Sequence, residues 1–555
     1  MPELRRIKIS KPTRYTQELI AEYTQKGYWN SISLSELWDR NARAHTQREA
    51  IVDSRTRLTW GEAKQWIDRI ALGFIEQGIK RDELVVVQLV NSVELCLTRV
   101  ACEKAGILCL PVLRTLREKE IEYILKNTGA AAVVIPDQFR GRNYIEMIET
   151  IRSHLPQLRK VFVVGKDVPQ WAVSFQEIIH QSLEDKYPKD YLERTRYKPT
   201  EVSLINPTTG TTGFPKFAEY PACARLAFGK GAIDALNLTS DDILAALSPA
   251  PGGPNVPVYF AAPRVNAKVV FLERFEAEEA LKLLQRERVT IACGVPAQMA
   301  LLLQHPDLAR YDLSSVRVWW CTGSELPYRV GKEFENRTRV KVVNDYGGVD
   351  FGGIVACGLD EPLDVRLLTV GKPRAWTEIK LIDDAGQEVP EGGVGNVWGR
   401  GPACSSGYYK DPEATWQSWT KDGWFKTGDL GKFDEQRNLV IVGREKDIII
   451  RGGWNIYPKE IETILLTHPK VQDVAIVGMP DPVMGEKICA YVVPKPAQNL
   501  TMEEMVSLLR QKDIPAYKLP ERLEFLDKLP MVADGQKVDR KLLRQDIKQK
   551  LKAEW

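Results

Sequence analysis

No apolar run in the chain approaches the roughly 18 residues that a membrane span needs, so a spanning helix is not expected. Charge of one sign is not in excess either. Lys and Arg number 77 against 74 Asp and Glu, a net +3, which points to neither nucleic acid nor a membrane surface as partner. Histidine is scarce. The five present are scattered without metal-ligand spacing, and a zinc site is not expected. The nine cysteines are odd in number, contain no C-x-x-C, and sit mostly in apolar contexts such as "ILCLPV". Such thiols read as small core residues in a reducing compartment. The opening "MPELRRIKISKPTRY" is basic but has no apolar segment behind it, so no secretory leader is expected. A soluble cytoplasmic protein is the expectation.

What is present is ordinary globular material in quantity. At 555 residues, with 44% hydrophobic and 27% charged residues, the chain exceeds what one core can serve, and at least two domains are expected. From Leu37 to Ile135, helical periods alternate with β-rich runs. "GEAKQWIDRIALGFIEQG" carries its apolar residues at a 3.6-residue spacing, and "LVVVQLV" follows as a buried strand. The rhythm returns between Asp242 and Val343, which argues for layered α/β architecture. Near Val370 the texture changes to alternation broken by Asp-Ala-Gly and Glu-Gly-Gly, read as a β-meander or hairpin. Short strands and helices follow, ending in a Lys/Arg-rich tail, and this final portion of about a hundred residues is enough for a small α+β domain.

Within this frame, "NPTTGTTGFPK" (Asn206–Lys216) stands out. Gly210 and Gly213 tolerate positive φ, so successive N–H groups can form an anion-binding nest. Hydroxyls at Thr208, Thr209, Thr211 and Thr212 and the cation at Lys216 suit phosphate oxygens. A nucleotide P-loop would end Gly-Lys-Ser/Thr and open a helix, and Pro215 denies that reading. By itself the stretch is as readily a plain turn. Its meaning depends on company.

That company is "NDYGGVD" (Asn344–Asp350), "GWFKTGDLG" (Gly423–Gly431), "GREKDIIIRGGWNIYPKEIE" (Gly443–Glu462) and "LPMVADGQKVDRKLL" (Leu529–Leu543). In this order and spacing the motifs resemble the adenylate-forming enzymes: acyl-CoA synthetases, adenylation domains of peptide synthetases, and luciferases. The approach region "RLTWGEAKQWIDRIALGFIEQGI" matches as well, so the resemblance covers nearly the whole chain. It implies a multidomain α/β fold. A large N-terminal domain, residues 1–445, would combine layered α/β subdomains with a β-rich subdomain, and a small mobile α+β C-terminal domain would span 446–555. It implies ATP/AMP, Mg2+ and coenzyme A as ligands, a small carboxylate as substrate, and a monomer or homodimer.

The resemblance also distributes roles. The Thr/Gly loop and Lys216 would hold the β- and γ-phosphates. Tyr346 would stack on adenine, Asp429 would take the ribose hydroxyls, and Arg444 would accompany it. Gly323, Ser324, Glu325, Asp345 and Gly347 complete the implied nucleotide set. Asp350, with Thr211, would serve the metal, Asp350 standing where the family usually has glutamate. Lys537 would bridge the substrate carboxylate and the α-phosphate. Lys446 falls at the family's hinge, and Gly452, Gly453 and Trp454 beside its pantetheine channel.

Three departures bear on these expectations. Val349 replaces the usual threonine at the α-phosphate, Gln536 separates a glycine and lysine that the family keeps adjacent, and "LSPAPGGPNVPV" (Leu247–Val258) lacks the aromatic or histidine gate. Small residues at Pro251, Gly252, Gly253, Thr322, Gly347 and Gly348 lead to the expectation of a short, wide acyl pocket, suited to a compact ring. With only Asn255 as a polar group at the gate, an unsubstituted apolar ring is expected over a dihydroxybenzoate. The stretch "ELIAEYTQKGYWNSISLSELWDRNA" is most similar to 2,3-dihydroxybenzoate–AMP ligases and to some aryl or alicyclic acid–CoA ligases. The leading expectation is therefore an AMP-forming CoA ligase for a benzoate- or cyclohexanecarboxylate-like acid. A stand-alone enzyme loading an aryl acid onto a carrier protein is the alternative, and a catalytically dead nucleotide-binding protein is a third.

Overall fold

The computed structural model describes residues 15–208, 215–374, 376–532 and 537–554, Lys537 by its backbone. Two large sheets form the body. One has eight strands, and its parallel core includes Leu84–Val87, Leu108–Pro111, Ala132–Pro136 and Lys160–Val164. The other has nine strands, with Ile243–Ala246, Lys268–Phe271, Ile291–Gly294, Val318–Cys321 and Lys341–Gly348 running parallel. These strands are the β-branched runs of the two alternating regions, and nearly all their residues are buried, as parallel strands covered on both faces require.

Helices pack where the 3.6-residue period places them. Trp60–Glu76 begins on a capping box of Thr59 with Glu62 and buries Ala63, Ile67, Ile70, Ala71 and Phe74 along one face. The helix Val93–Ala105 has no solvent face at all; even Glu94, Arg99, Glu103 and Lys104 are buried. Two of these groups are ion-paired, while Arg99 lies over the Tyr259 ring and Glu103 accepts the Ser35 amide. Lys104 meets Asp39 at 2.6 Å and also Asp68, and Arg55 reaches Glu94 at 3.1 Å.

After Val370 the chain leaves the α/β layers. Glu378–Ile382 and Gly395–Arg400 form an antiparallel hairpin, extended by Phe425–Phe433 and Leu439–Arg444 into a four-stranded sheet. A short turn, Glu445–Asp447, separates this sheet from a five-stranded one that includes Ile449–Arg451, Val471–Asp481 and Gly485–Pro494. This last sheet has its own core, in which Ile449, Ile461, Leu465, Ile476, Ile488, Met505 and Leu509 pack together. The molecule is thus a large mixed α/β body followed by a smaller, separately folded α+β unit. All nine cysteines are buried and unbridged. Among the described residues, no helix is long and apolar enough to cross a membrane.

Candidate active site

The threonine-rich segment connects two strands that pair antiparallel. Val202–Pro207 pairs with Phe217–Pro221 in a register that sets Pro207 opposite Phe217. Two bonds close the loop: the Thr208 amide donates to the Lys216 carbonyl at 2.8 Å, and the Lys216 amide donates to the Thr208 hydroxyl at 3.2 Å. Thr209, Gly210, Thr211, Thr212 and Gly213 lie outside the described residues. The ammonium of Lys216 sits 4.8 Å from the ring centre of Tyr408, a cation–π contact. Tyr408 arrives by strand pairing, opposite Ala218. Its phenol is pushed well above the ordinary range, first by burial and then by the negative charge of Asp350, to which it hydrogen-bonds. Lys216 and Asp350 are thereby gathered around Tyr408. The Tyr220 hydroxyl donates to the carbonyl of Val349, so this segment is anchored through its backbone where the family's threonine hydroxyl is lacking.

A second cluster clamps the carboxylate of Asp429. Asp429 and Arg444 are direct cross-strand partners, with Arg444 Nε 3.0 Å from Asp429 Oδ1. Tyr346 donates its hydroxyl to the second carboxylate oxygen at 2.7 Å. Thr427 braces the turn beneath: its hydroxyl donates to the Val397 carbonyl and accepts the Asp429 amide at 3.0 Å. Burial, then the neighbouring Asp429 charge, holds the Tyr346 phenol far above its usual range, so it is a permanent donor. Its ring packs 5.7 Å from Phe351, which stacks on Phe425 at 5.1 Å.

Other expected positions are placed as follows. Asp345 is not turned to the clamp; it is buried, ion-paired with Arg374 and hydrogen-bonded by Thr322. Gly323 adopts φ +92° and lies against Pro254 and Val295. Ser324 follows it, and Glu325 faces the ammonium of Lys459 in the small unit at 3.6 Å. The turn at Pro251, Gly252 and Gly253 is held rigidly. Asn91 accepts the Ala250 amide at 2.9 Å and donates to the Ser248 carbonyl at 2.6 Å, a carbonyl that Asn255 also engages.

Smallness does not translate into open space throughout. A Cβ at Gly347 would fall 2.3 Å from the Gly352 carbonyl oxygen, and one at Gly348 would fall 2.5 Å from the Phe351 ring. The wall there is backbone and aromatic rather than empty.

In the small unit, Lys446 occupies the turn between the two sheets. Desolvation, then the adjacent Arg444 charge, pushes its ammonium down from the ordinary range. Gly452 and Gly453, at φ +57° and +85°, form the tip of a hairpin that sets Arg451 opposite Trp454. Trp454 is 60% exposed and packs on Tyr517. Lys537 lies in a two-residue strand opposite Val532, and its side chain is outside the described atoms.

Tyr220, Tyr408, Arg374 and Lys459 escape sequence reasoning. Each reaches the site through strand pairing or packing with remote segments, which leaves no local signal. Glu219 escapes it too. This carboxyl, on the strand that leaves the loop, is fully buried with the Ser406 hydroxyl 3.3 Å away, and burial pushes it up to about 8.

A family model described as "AMP-binding enzyme" matches residues 38–409, and one described as "AMP-binding enzyme C-terminal domain" matches residues 460–536. The chain belongs to the AMP-binding, adenylate-forming enzymes, which join a carboxylic acid to AMP at the expense of ATP. It is 32% identical to a medium-chain fatty-acid–CoA ligase of Escherichia coli strain K12, over 97% of this chain and 94% of that protein. It is 30% identical to a 2,3-dihydroxybenzoate–AMP ligase of Bacillus subtilis strain 168, over 98% of each. ATP-bound MatB from Rhodopseudomonas palustris superposes with a TM-score of 0.82 at 25% identity, over 93% of this chain and 99% of that one.

Proposed function

We propose that this chain is an AMP-forming acid–CoA ligase for a compact cyclic carboxylate, alicyclic or aromatic. The observation that carries the reading is the Tyr346–Asp429–Arg444 cluster, built from three of the ordered motifs, together with the Thr208–Lys216 closure of a fourth. In the first step a carboxylate oxygen forms a bond to the α-phosphorus of ATP, the α–β phosphoanhydride breaks, and pyrophosphate leaves with the bonding pair. In the second the CoA sulfur bonds to the acyl carbon and AMP departs as the C–O bond breaks. Two anions meet in the first step, so fixed donors and cations must offset their repulsion. Lys216 and the loop amides serve the β- and γ-phosphates, and Lys537 serves the carboxylate and α-phosphate together.

Magnesium, when bound, spreads the phosphate charge. Asp350 supplies a hard oxygen donor of the type it prefers, at the phosphate end beside Lys216, and Thr211 is the second candidate. Lys446 is the hinge, with the domain boundary between residues 445 and 446. Gly452, Gly453 and Trp454 border the path of the pantetheine arm, to which the glycines add no side chain. A compact ring is favoured because Gly352 and Phe351 limit depth beyond Gly347 and Gly348.

A second reading has one observation in its favour. Ile450, Trp454 and Val483 expose 55%, 60% and 85% of their surfaces around the Gly452–Gly453 hairpin, an apolar face that suits a carrier protein bearing the thiol. A panel of carboxylates assayed for AMP release with and without CoA separates the readings. CoA-dependent release supports the ligase. Adenylate that accumulates and transfers only to a carrier supports the second reading, and inertness towards every acid supports a binding protein.

A further inference from the structure

Arg225 stands where an arginine is badly placed. It lies in the first turn of the helix Ala222–Leu236, where the positive end of the helix dipole disfavours a cation. It is 3% exposed, and it forms no ion pair among the described residues. Burial pushes its guanidinium down from the ordinary range. A desolvated, unpaired charge at the wrong end of a helix breaks two local rules at once, and such departures gather at functional sites.

Its contacts say what it does. The guanidinium lies over the Tyr220 ring, 3.4 Å from its centre. In the orientation of the Asn206 amide that satisfies both its ends, the oxygen accepts from Arg225 Nη2 and the nitrogen donates to the Ile205 carbonyl at 3.2 Å. Asn206 opens the threonine–glycine segment, two residues before Thr208. Tyr220 donates its hydroxyl to the Val349 carbonyl, and Asp350 is the next residue. From there the contacts close on themselves. Asp350 is hydrogen-bonded by Tyr408, Tyr408 lies under the Lys216 ammonium, and the Lys216 backbone bonds back to Thr208. Arg225 is the member of this ring that joins its Asn206 side to its Val349 side. A planar fork can lie flat on a ring and donate sideways at the same time, which an ammonium cannot.

Resting on the reading of the Thr/Gly segment as the cradle of the β- and γ-phosphates, we propose that Arg225 is a positioning residue that fastens the entry of that segment, through Asn206, to the Val349–Asp350 strand end, through Tyr220. It acts on the nucleotide through these two neighbours and touches none of the reacting atoms.

Titration calorimetry with ATP and with AMP tests the assignment. Arg225→Met keeps the length of the side chain but neither its charge nor its donors. Its ATP affinity is expected to fall about 10-fold, the scale of one charge-assisted hydrogen bond, while AMP, with no β- or γ-phosphate to hold, stays within about 3-fold. Asn206→Ala cuts the same link from the loop side and is expected to reproduce the ATP-selective loss. The double variant is expected to be no weaker than either single one, because both remove one interaction. Losses that add, losses equal for ATP and AMP, or no loss at all overturn the inference. Should Arg225→Met not fold, Asn206→Ala decides by the same ATP-against-AMP comparison. Lys216→Ala separates this inference from its parent. If that variant binds ATP like the wild type, the segment is not the triphosphate cradle and both readings fall. If it weakens ATP while Arg225→Met and Asn206→Ala do not, only this inference falls.

Discussion

Tyr346 and Asp429, 83 positions apart in the chain, are joined by a 2.7 Å hydrogen bond from phenol to carboxylate, while Arg444 occupies the other carboxylate oxygen at 3.0 Å. The carboxylate is therefore aimed before any nucleotide arrives. On the proposed ribose-binding role, replacing Asp429 with Asn keeps the shape but removes the charge that would strengthen bonds to ribose hydroxyls. Hydrogen bonds to charged groups contribute about 1.5–3 kcal/mol, so ATP binding to Asp429→Asn is expected to weaken by roughly 10- to 100-fold. Titration calorimetry with ATP checks this, and an unchanged affinity would remove Asp429 from the ribose site.

The two half-reactions should separate at two lysines. Lys537→Ala is expected to abolish adenylate formation while largely sparing thioester formation from supplied acyl-adenylate. Lys446→Pro, which restricts φ in the turn between the sheets, is expected to impair one half-reaction much more than the other. Pyrophosphate release and thioester formation are measured separately. Equal losses in both steps would count against a bridging role for the first lysine and a hinge at the second.

Glu219 makes stability depend on pH. Its carboxyl titrates near 8 in the folded chain against the ordinary 4.5, because burial disfavours its charge. Between those values the folded chain keeps a proton that the unfolded chain has released, so this group's contribution is full below about 4.5 and is lost as pH rises towards about 8. Glu219→Gln removes the titration. Its melting temperature relative to wild type should climb from pH 5 to pH 8, and a constant difference would contradict the assignment.

Lys104 is 3% exposed and serves two carboxylates, Asp39 and Asp68. Lys104→Met leaves Asp39 with Arg196 and Asp68 with Lys64 as their remaining cations. The expected loss is about 1–3 kcal/mol, below the cost of leaving a buried charge wholly unpaired. Thermal unfolding would register it as a clear drop in melting temperature. Loss confined to activity, with the melt unchanged, would mean that the pair is not structural.

Much of this architecture was legible before any coordinates. The apolar period of Trp60–Glu76 and the β-branched runs specify helix and strand locally, and Gly452–Gly453 announces a hairpin. The partnership of Asp429 with Arg444 is readable too, because a short turn links neighbouring strands. What escapes is whatever depends on pairing between distant strands. Tyr408 meets Lys216 only because its strand adds to the edge of the eight-stranded sheet, and Arg374 meets Asp345 only through the strand between them. The helix Val93–Ala105 shows the same limit, since its four ionisable residues suggest a wet face that tertiary pairing removes.

Lys459 ties the small unit to the body twice, through the Ile441 carbonyl and through an exposed ion pair. Lys459 reaches Glu325 across 3.6 Å with 25% and 46% of the two side chains exposed, and Arg329 touches the Leu466 carbonyl. Pairs so open to water are worth well under about 1 kcal/mol. Added salt, which screens exposed charges, should slacken the Lys459–Glu325 contact while leaving the bond from Lys459 to the Ile441 carbonyl in place.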